Sequence, residues 1–195
     1  MTRSLQGKKF AFLVAPEGVE QVELTELWKA ILDAGGAPQL VSTAPGRISA
    51  FRHLDRADSF DVDAVVGEAS AAGYDGLVLP GGVANPDFLR TRTDAVAFTK
   101  GFVDAGKPIA VICHGAWTLV EADAVRGRTL TSWPSLRTDI ANAGGDWVDK
   151  AVVVCRAEPS TLVSSRRPRD LPAFCAQMVD TFAGDRNAVR PSAAG

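Results

Sequence analysis

Cysteine, histidine and excess charge are all scarce in this sequence. Two histidines, His53 and His114, and three cysteines occur among its 195 residues, and the formal net charge is only −2. That charge offers no electrostatic attraction for nucleic acid or for an anionic membrane surface, so neither is expected as a partner. The cysteines, Cys113, Cys155 and Cys175, stand far apart without a metal-ligand pattern. We therefore expect no metal, no cofactor and a reducing, cytoplasmic location.

Long apolar runs are also absent. No segment approaches the roughly 20 apolar residues that a membrane span needs, and the polar N-terminus lacks the apolar stretch of a signal peptide. No internal repeat or linker divides the chain, which is long enough to bury a sizeable core. We predict one α/β domain over residues 1–195, with its core at about 8–183 and a frayed tail at 184–195.

Short apolar runs alternate with helical patterns along the chain. Apolar runs predict strands at 10–15, 37–42, 74–79, 107–112, 129–132, 152–154 and 161–164. Apolar spacing predicts helices at 22–34, 95–105, 116–122, 135–143 and from about 172 to 182. Residues 43–73 are mixed, with short edge strands expected near 60–63. This alternation of strand and helix indicates a parallel α/β sandwich.

The tripeptide Cys113-His114-Gly115 follows the apolar run at 107–112 directly. A strand, a sharp turn and a helix form the layout of a nucleophile elbow, which exposes a reactive side chain at the top of a sheet. A cysteine at a helix N-terminus also has its thiolate form favoured. The alternative is a buried cysteine that closes a strand. His114 is either a general base or only a polar residue at the top of the sheet.

Polar or glycine-rich segments follow two other predicted strands, at the edge where ligands bind in open α/β sheets. Glu20 and Glu23 are three residues apart, so they share a face of a first helical turn. We choose Glu23 as the partner of the thiol, because its protonated carboxyl would donate to the thiolate and lower the cysteine pKa. The N–H groups of Gly82 and His114 would form an oxyanion hole. The alternatives are a surface carboxylate and an ordinary loop glycine.

Six segments in chain order resemble the PfpI family of intracellular proteases, within the class I glutamine-amidotransferase-like superfamily. They are ExxE at 20–23, YDGLVLPGG at 74–82, GKPIAVICHG at 106–115, VRGRTLTSWP at 125–134, NAGGDWVD at 142–149 and SSRRPRDLP at 164–172. The resemblance spans about residues 8–182. It implies a flavodoxin-like sandwich with a central, mostly parallel sheet and Cys113 as the nucleophile on its elbow.

The resemblance also implies an assembly and further site residues. In relatives that form dimers or hexamers, the histidine after the cysteine meets an acidic residue of a neighbouring subunit, and Asp87 occupies that position here. Trp133 falls where relatives place an aromatic residue near the site, and Glu20 is expected to line it. Cys155 departs from the family, whose members usually carry aspartate there. We therefore expect a homodimer or a hexamer.

The preferred function is a cysteine-dependent hydrolase that acts on carbonyl substrates in a stress response. Its chemistry would serve small carbonyl compounds, peptides or glycated proteins, by peptide hydrolysis or by removal of glyoxal adducts. The alternative is an oxidation-sensing or chaperone-like stress protein with little catalysis. A glutamine amidotransferase is disfavoured because no histidine follows His114, and a transcription regulator because no DNA-binding extension is present.

Overall fold

A computed structural model describes residues 4–157 and 159–184. Its strands are β1 (Lys9–Val14), β2 (Glu17–Glu20), β3 (Ala37–Ser42), β4 (Arg47–Arg52), β5 (Asp55–Asp61), β6 (Ala64–Val65), β7 (Gly76–Leu79), β8 (Ile109–Ile112), β9 (Thr129–Leu130), β10 (Asp146–Trp147), β11 (Val152–Cys155) and β12 (Leu162–Ser165). Its α-helices are α1 (Gln21–Asp33), α2 (Ala84–Leu89), α3 (Thr93–Asp104), α4 (Ala116–Glu121), α5 (Arg137–Asn142) and α6 (Leu171–Phe182). Single 3-10 turns lie at Val66–Glu68, Ala71–Gly73, Cys113–Gly115, Pro134–Leu136 and Pro168–Asp170.

A seven-stranded sheet with the order β11-β12-β8-β7-β1-β3-β6 forms the centre. All neighbouring pairs are parallel except β11 with β12. The predicted mostly parallel sheet of a flavodoxin-like α/β fold is therefore confirmed. Because β1, β7 and β8 are adjacent and parallel, their carboxyl ends meet at one edge, and the segments that follow them are brought together there.

The two faces of the sheet bury separate apolar layers. Along β1 the side chains alternate, with Phe10 and Phe12 in one layer and Ala11 and Leu13 in the other. The first layer packs against α1 and α6, and the second against the helices α2 to α5. Phe10 stacks on Phe182 with ring centroids 4.7 Å apart. Each such buried ring contributes about 2–3 kcal/mol through the hydrophobic effect, and together the layers hold the carboxyl edge rigid.

Helices and central strands begin and end close to the predicted positions, whereas the segment from residue 43 to 73 differs. Instead of short edge strands near 60–63, β4 and β5 form an antiparallel hairpin that joins β2 in a separate three-stranded sheet. This hairpin is rich in charged residues, so its strands lack the apolar runs used for prediction. Only Ile48 and Ala50 of β4 are fully buried.

The predicted frayed tail falls mainly on residues 185–195, which lie outside the described residues. Within the described residues, every helix is too short or too polar to cross a lipid bilayer.

Candidate active site

Cys113 occupies a strained turn between β8 and α4. Its backbone has φ +61°, a left-handed conformation that costs a residue with a side chain on the order of 1–3 kcal/mol. The turn also needs Gly115, because a Cβ at that position would lie 2.5 Å from the carbonyl oxygen of Leu79. Strand, strained turn and helix together form the geometry of a nucleophile elbow. The sulfur is thereby held at the carboxyl edge of the sheet.

Two backbone N–H groups converge on the sulfur of Cys113. One belongs to His114 and the other to Gly82, and the proximity of both groups lowers the pKa of the thiol. Gly82 has φ +81°, and a Cβ there would approach the carbonyl oxygen of Gly18 to 2.1 Å, so only glycine fits this turn. Backbone donors fixed in this way are placed to hold an oxygen that gains negative charge beside the sulfur.

The carboxyl group of Glu23 lies against the thiol from the other side. Glu23 is completely buried in the first turn of α1, and its Oε2 accepts a hydrogen bond from the N–H of Gly81 at 2.7 Å. The carboxyl also lies close enough to Cys113 for the two groups to shift each other's pKa, while Oε1 has no hydrogen-bond partner among the described residues. A buried carboxyl with one unpartnered oxygen is suited to carry a proton.

Burial controls the protonation of both partners. It raises the pKa of Glu23 to about 8, so this carboxyl is mostly neutral at pH 7. Burial also raises the pKa of the Cys113 thiol, and both the charge of Glu23 and its side-chain contact with the thiol raise it further, so the predicted lowering of the thiol pKa by Glu23 is wrong. The expected lowering of the thiol pKa by a helix N-terminus is therefore wrong for this state, because Cys113 is only 6% exposed. A neutral Glu23 removes the repulsion between the two groups and leaves an O–H aimed at the sulfur.

His114 contacts the nucleophile through its side chain as well as its backbone. Its Nδ1 lies 3.3 Å from the sulfur of Cys113. The ring stacks on Trp133 and tilts against Trp117, with centroid distances of 5.6 Å and 5.3 Å. Burial lowers the pKa of His114 to about 4, so the ring is neutral near pH 7. A neutral imidazole beside a thiol can accept its proton.

Asn85, at the start of α2, supports the site without having been predicted. It is fully buried, and its amide donates to the carbonyl oxygens of Pro80 and Gly81 at 3.0 Å each. Its side-chain oxygen accepts from the N–H of Ala15 at 2.7 Å. These bonds tie the ends of β1 and β7 together and fix the turn that carries Gly82. An asparagine next to a proline in a short helix gives no sequence signal for this role.

A cleft of about 310 Å³ opens onto the sulfur. Its walls are formed by Glu20, Glu23, His53, Leu54, Gly82, Val83, Cys113, His114, Trp133 and Pro168. Glu20 was expected on the same helical turn as Glu23, but it ends β2 and precedes α1. Its Oε2 accepts a hydrogen bond from the N–H of His53 at 3.0 Å. The structure thus brings together all the predicted site residues except Asp87.

Asp87 is exposed on α2 and does not line this cleft. This position agrees with a role toward a second copy of the chain, and that role stays a prediction. Cys113, Cys155 and Cys175 are all free thiols. Among residues 4–157 and 159–184, no three histidine, cysteine or acidic side chains are grouped as a metal site would require.

A model of the DJ-1/PfpI family matches residues 8–181. The chain belongs to the DJ-1/PfpI family. General stress protein 18 of Bacillus subtilis is 39% identical over 168 residues, which are 86% of this chain and 94% of that protein. The predicted family is thereby confirmed.

Two further DJ-1/PfpI relatives bear on the fold and on the chemistry. Protein/nucleic acid deglycase 2 of Escherichia coli is 45% identical over 116 residues, which are 60% of this chain and 65% of that protein. A solved two-domain protein of Anabaena variabilis contains DJ-1/ThiJ/PfpI-like and ferritin-like domains. It superposes with a TM-score of 0.82 at 30% identity over 93% of this chain and 52% of that one. The fold of this chain is therefore that of the family.

Proposed function

We propose that the protein is a DJ-1/PfpI hydrolase that uses Cys113 as a nucleophile on carbonyl substrates in a stress response. The observation that carries the proposal is the convergence of the Gly82 and His114 N–H groups on the sulfur inside an open cleft. Relatives named as a deglycase and as a general stress protein support the substrate class and the physiological setting. Glyoxal adducts of amines or thiols are the preferred substrates, and peptides are the second.

The chemistry follows from the groups around the sulfur. The Cys113 sulfur attacks the carbonyl carbon, and the electron pair of the C=O bond moves onto oxygen. Donors that point at the sulfur are also close to this oxygen, so the Gly82 and His114 N–H groups would stabilise its charge. The neutral Glu23 stabilises the negative charge that grows on the sulfur as its proton leaves during the attack. Where the attacked carbon bears the leaving group, as in a peptide, the C=O bond re-forms as the bond to that group breaks, and the leaving group takes up the thiol proton. Water then hydrolyses the thioester that remains.

The rim of the cleft suggests which adducts bind best. Glu20 places a carboxyl group in the lining of the same cleft as Cys113. We infer that it favours adducts of cationic amines or guanidines, since an opposite charge at a partly closed site strengthens binding. Trp133 supplies an apolar wall on the other side. A neutral adduct of the same size is the control, because its binding should not depend on the charge of Glu20.

We also propose a homodimer or hexamer in a reducing, cytoplasmic setting. The large apolar side chains Leu54, Val83 and Phe88 are exposed near the mouth of the cleft or on α2, next to Asp87. A second copy that covered them would bring its Asp87 toward a cleft. Three free thiols agree with a reducing compartment. Light scattering of the purified protein measures the assembly directly.

Release of the free amine from a glyoxal-adducted arginine derivative tests the proposed function. We expect steady turnover by the wild type and loss of turnover in Cys113→Ala, while the Cys155→Ala control stays active. Full activity in Cys113→Ala would exclude the nucleophile. Stoichiometric oxidation of Cys113 by peroxide, with no turnover on adducts or peptides, would favour the oxidation-sensing alternative.

A further inference from the structure

Both ring nitrogens of His114 have neighbours within the same chain. Nδ1 lies 3.3 Å from the sulfur of Cys113, and Nε2 lies 3.4 Å from the hydroxyl oxygen of Ser135. Ser135 belongs to the 3-10 turn Pro134–Leu136, directly after the Trp133 that stacks on the ring. Among the described residues, Ser135 is the only side chain within hydrogen-bonding distance of Nε2. No role was predicted for this serine.

Packing fixes where the ring of His114 lies. Trp133 and Trp117 contact it from two sides, and the residue is only 8% exposed. The energy of these apolar contacts is nearly the same whichever ring nitrogen carries the proton. The position of the single proton on the neutral ring is therefore decided by hydrogen bonds, and each nitrogen has one candidate partner.

The surroundings of the sulfur decide which nitrogen faces it as an acceptor. Two backbone N–H groups, from Gly82 and His114, already lie close enough to the sulfur of Cys113 to lower its pKa. Because donors already surround the sulfur, an acceptor for the thiol proton stabilises it more than a third N–H group would. Nδ1 lies within reach for that purpose. The ring proton then resides on Nε2, where the hydroxyl oxygen of Ser135 accepts it.

We propose that Ser135 is a positioning residue that holds the proton of His114 on Nε2, so that Nδ1 presents a lone pair to the Cys113 thiol. The proposal rests on Cys113 being the nucleophile. As the S–C bond forms and the C=O electron pair moves onto oxygen, the thiol proton passes to Nδ1. In a peptide substrate the oxygen electron pair then re-forms the C=O bond as the C–N bond breaks, and the proton passes from Nδ1 to the leaving amine nitrogen. Water hydrolyses the resulting thioester and returns the thiol. The hydroxyl oxygen of Ser135 accepts the hydrogen bond from Nε2–H during all of these steps.

In this assignment both partners of the His114 ring nitrogens, Cys113 and Ser135, belong to the same chain as His114. The family resemblance instead assigns the partner of this histidine to Asp87 of a neighbouring subunit. The two arrangements compete for the same ring nitrogen, because Nδ1 is already directed at the sulfur. They are distinguished by removing one acceptor at a time.

The test is the tautomer of His114 in protein labelled with ¹⁵N-histidine, read from the two-bond couplings between ring protons and ring nitrogens. Only two histidines are present, so a His53→Gln variant assigns both sets of signals. We expect the Nε2–H form in the wild type and in Ser135→Thr, which retains a hydroxyl. Ser135→Ala is expected to shift the ring toward a mixture of tautomers, and Ser59→Ala, at an exposed serine of β5, serves as the control.

A kinetic readout accompanies the spectra. On the glyoxal-adducted arginine derivative, Ser135→Ala should lower kcat about fivefold, the effect of one neutral hydrogen bond, with KM unchanged. Ser135→Thr should restore it. A purely structural role would instead change KM or the folding of both variants.

The outcomes separate this proposal from the proposed function. An unchanged His114 tautomer in Ser135→Ala overturns the role of Ser135, even if Cys113→Ala is inactive. A tautomer change in Asp87→Asn but not in Ser135→Ala overturns it in favour of the neighbouring subunit. If Ser135→Ala shifts the tautomer while Cys113→Ala keeps full activity, the positioning stands and the nucleophile assignment fails.

Discussion

Replacement of Glu23 by glutamine tests the buried proton on which the site depends. The amide has nearly the shape of the carboxyl group, so its oxygen can accept from the N–H of Gly81 while its NH₂ faces the sulfur. Unlike the carboxyl, the amide does not titrate. The comparison of wild type with Glu23→Gln therefore isolates the free energy of ionising one buried group.

The expected magnitude follows from the shift of the pKa from 4.5 to about 8. The folded protein binds this proton more tightly than the unfolded chain. The stabilisation is therefore fully present below pH 4.5 and is lost as the pH rises through about 8. Between pH 4.5 and pH 7 the wild type should lose about 3 kcal/mol of unfolding free energy relative to Glu23→Gln.

Urea unfolding of both proteins at several values between pH 4.5 and pH 8 measures this difference. Other titrating groups are shared by the two proteins and cancel in the comparison. The same pair in a Cys113→Ser background removes the thiol and so reports the carboxyl by itself. A difference in unfolding free energy that stays constant across the range would mean that Glu23 ionises at its ordinary pKa, and the reasoning about its proton would be refuted.

Three further predictions concern the walls of the cleft. Gly81→Ala places a Cβ 2.6 Å from the Cβ of Cys113 and 2.7 Å from Oε2 of Glu23. The substitution should lower the free energy of unfolding in urea by about 1–3 kcal/mol and slow the alkylation of Cys113. Alkylation at the wild-type rate would contradict this prediction. Glu20→Gln should raise KM about fivefold for an arginine adduct and leave that for a neutral adduct unchanged; an equal rise for both would exclude charge recognition. Asp87→Asn should leave kcat and the molar mass seen by light scattering unchanged, because Ser135 already contacts Nε2 of His114; a large loss of kcat would assign that role to Asp87 of a neighbouring subunit.

Much of the fold was predictable because burial leaves a clear pattern in the central strands. β1 and β8 are continuous apolar runs, and α1 begins and ends within a residue or two of the predicted positions. The hairpin of β4 and β5 was missed because its stability comes from pairing at the protein surface, which leaves mostly polar residues in the sequence. That the whole chain forms one domain stays a prediction.

The candidate site was predictable only in part, since sequence patterns identify backbone turns better than contacts between distant side chains. The strand ends indicated Cys113, Glu23 and Gly82, because parallel strands bring their carboxyl ends together. Asn85 makes three hydrogen bonds and Ser135 one contact with residues from other segments, and the local sequence of neither residue predicts them. The expected thiol pKa was wrong for a related reason. The effect of a helix end is local, whereas burial depends on everything packed around the sulfur.

The site combines a nucleophile with two neutral partners instead of a charged pair. An ion pair between a cysteine thiolate and an imidazolium would be costly here, because Cys113 and His114 are both buried and burial lowers the pKa of the ring to about 4. A neutral carboxyl at Glu23 and a neutral ring at His114 avoid that cost and still supply one proton donor and one proton acceptor. The thiol can therefore remain protonated until a carbonyl group enters the cleft. Reactivity then depends on the substrate, which limits attack on the sulfur by oxidants when the cleft is empty.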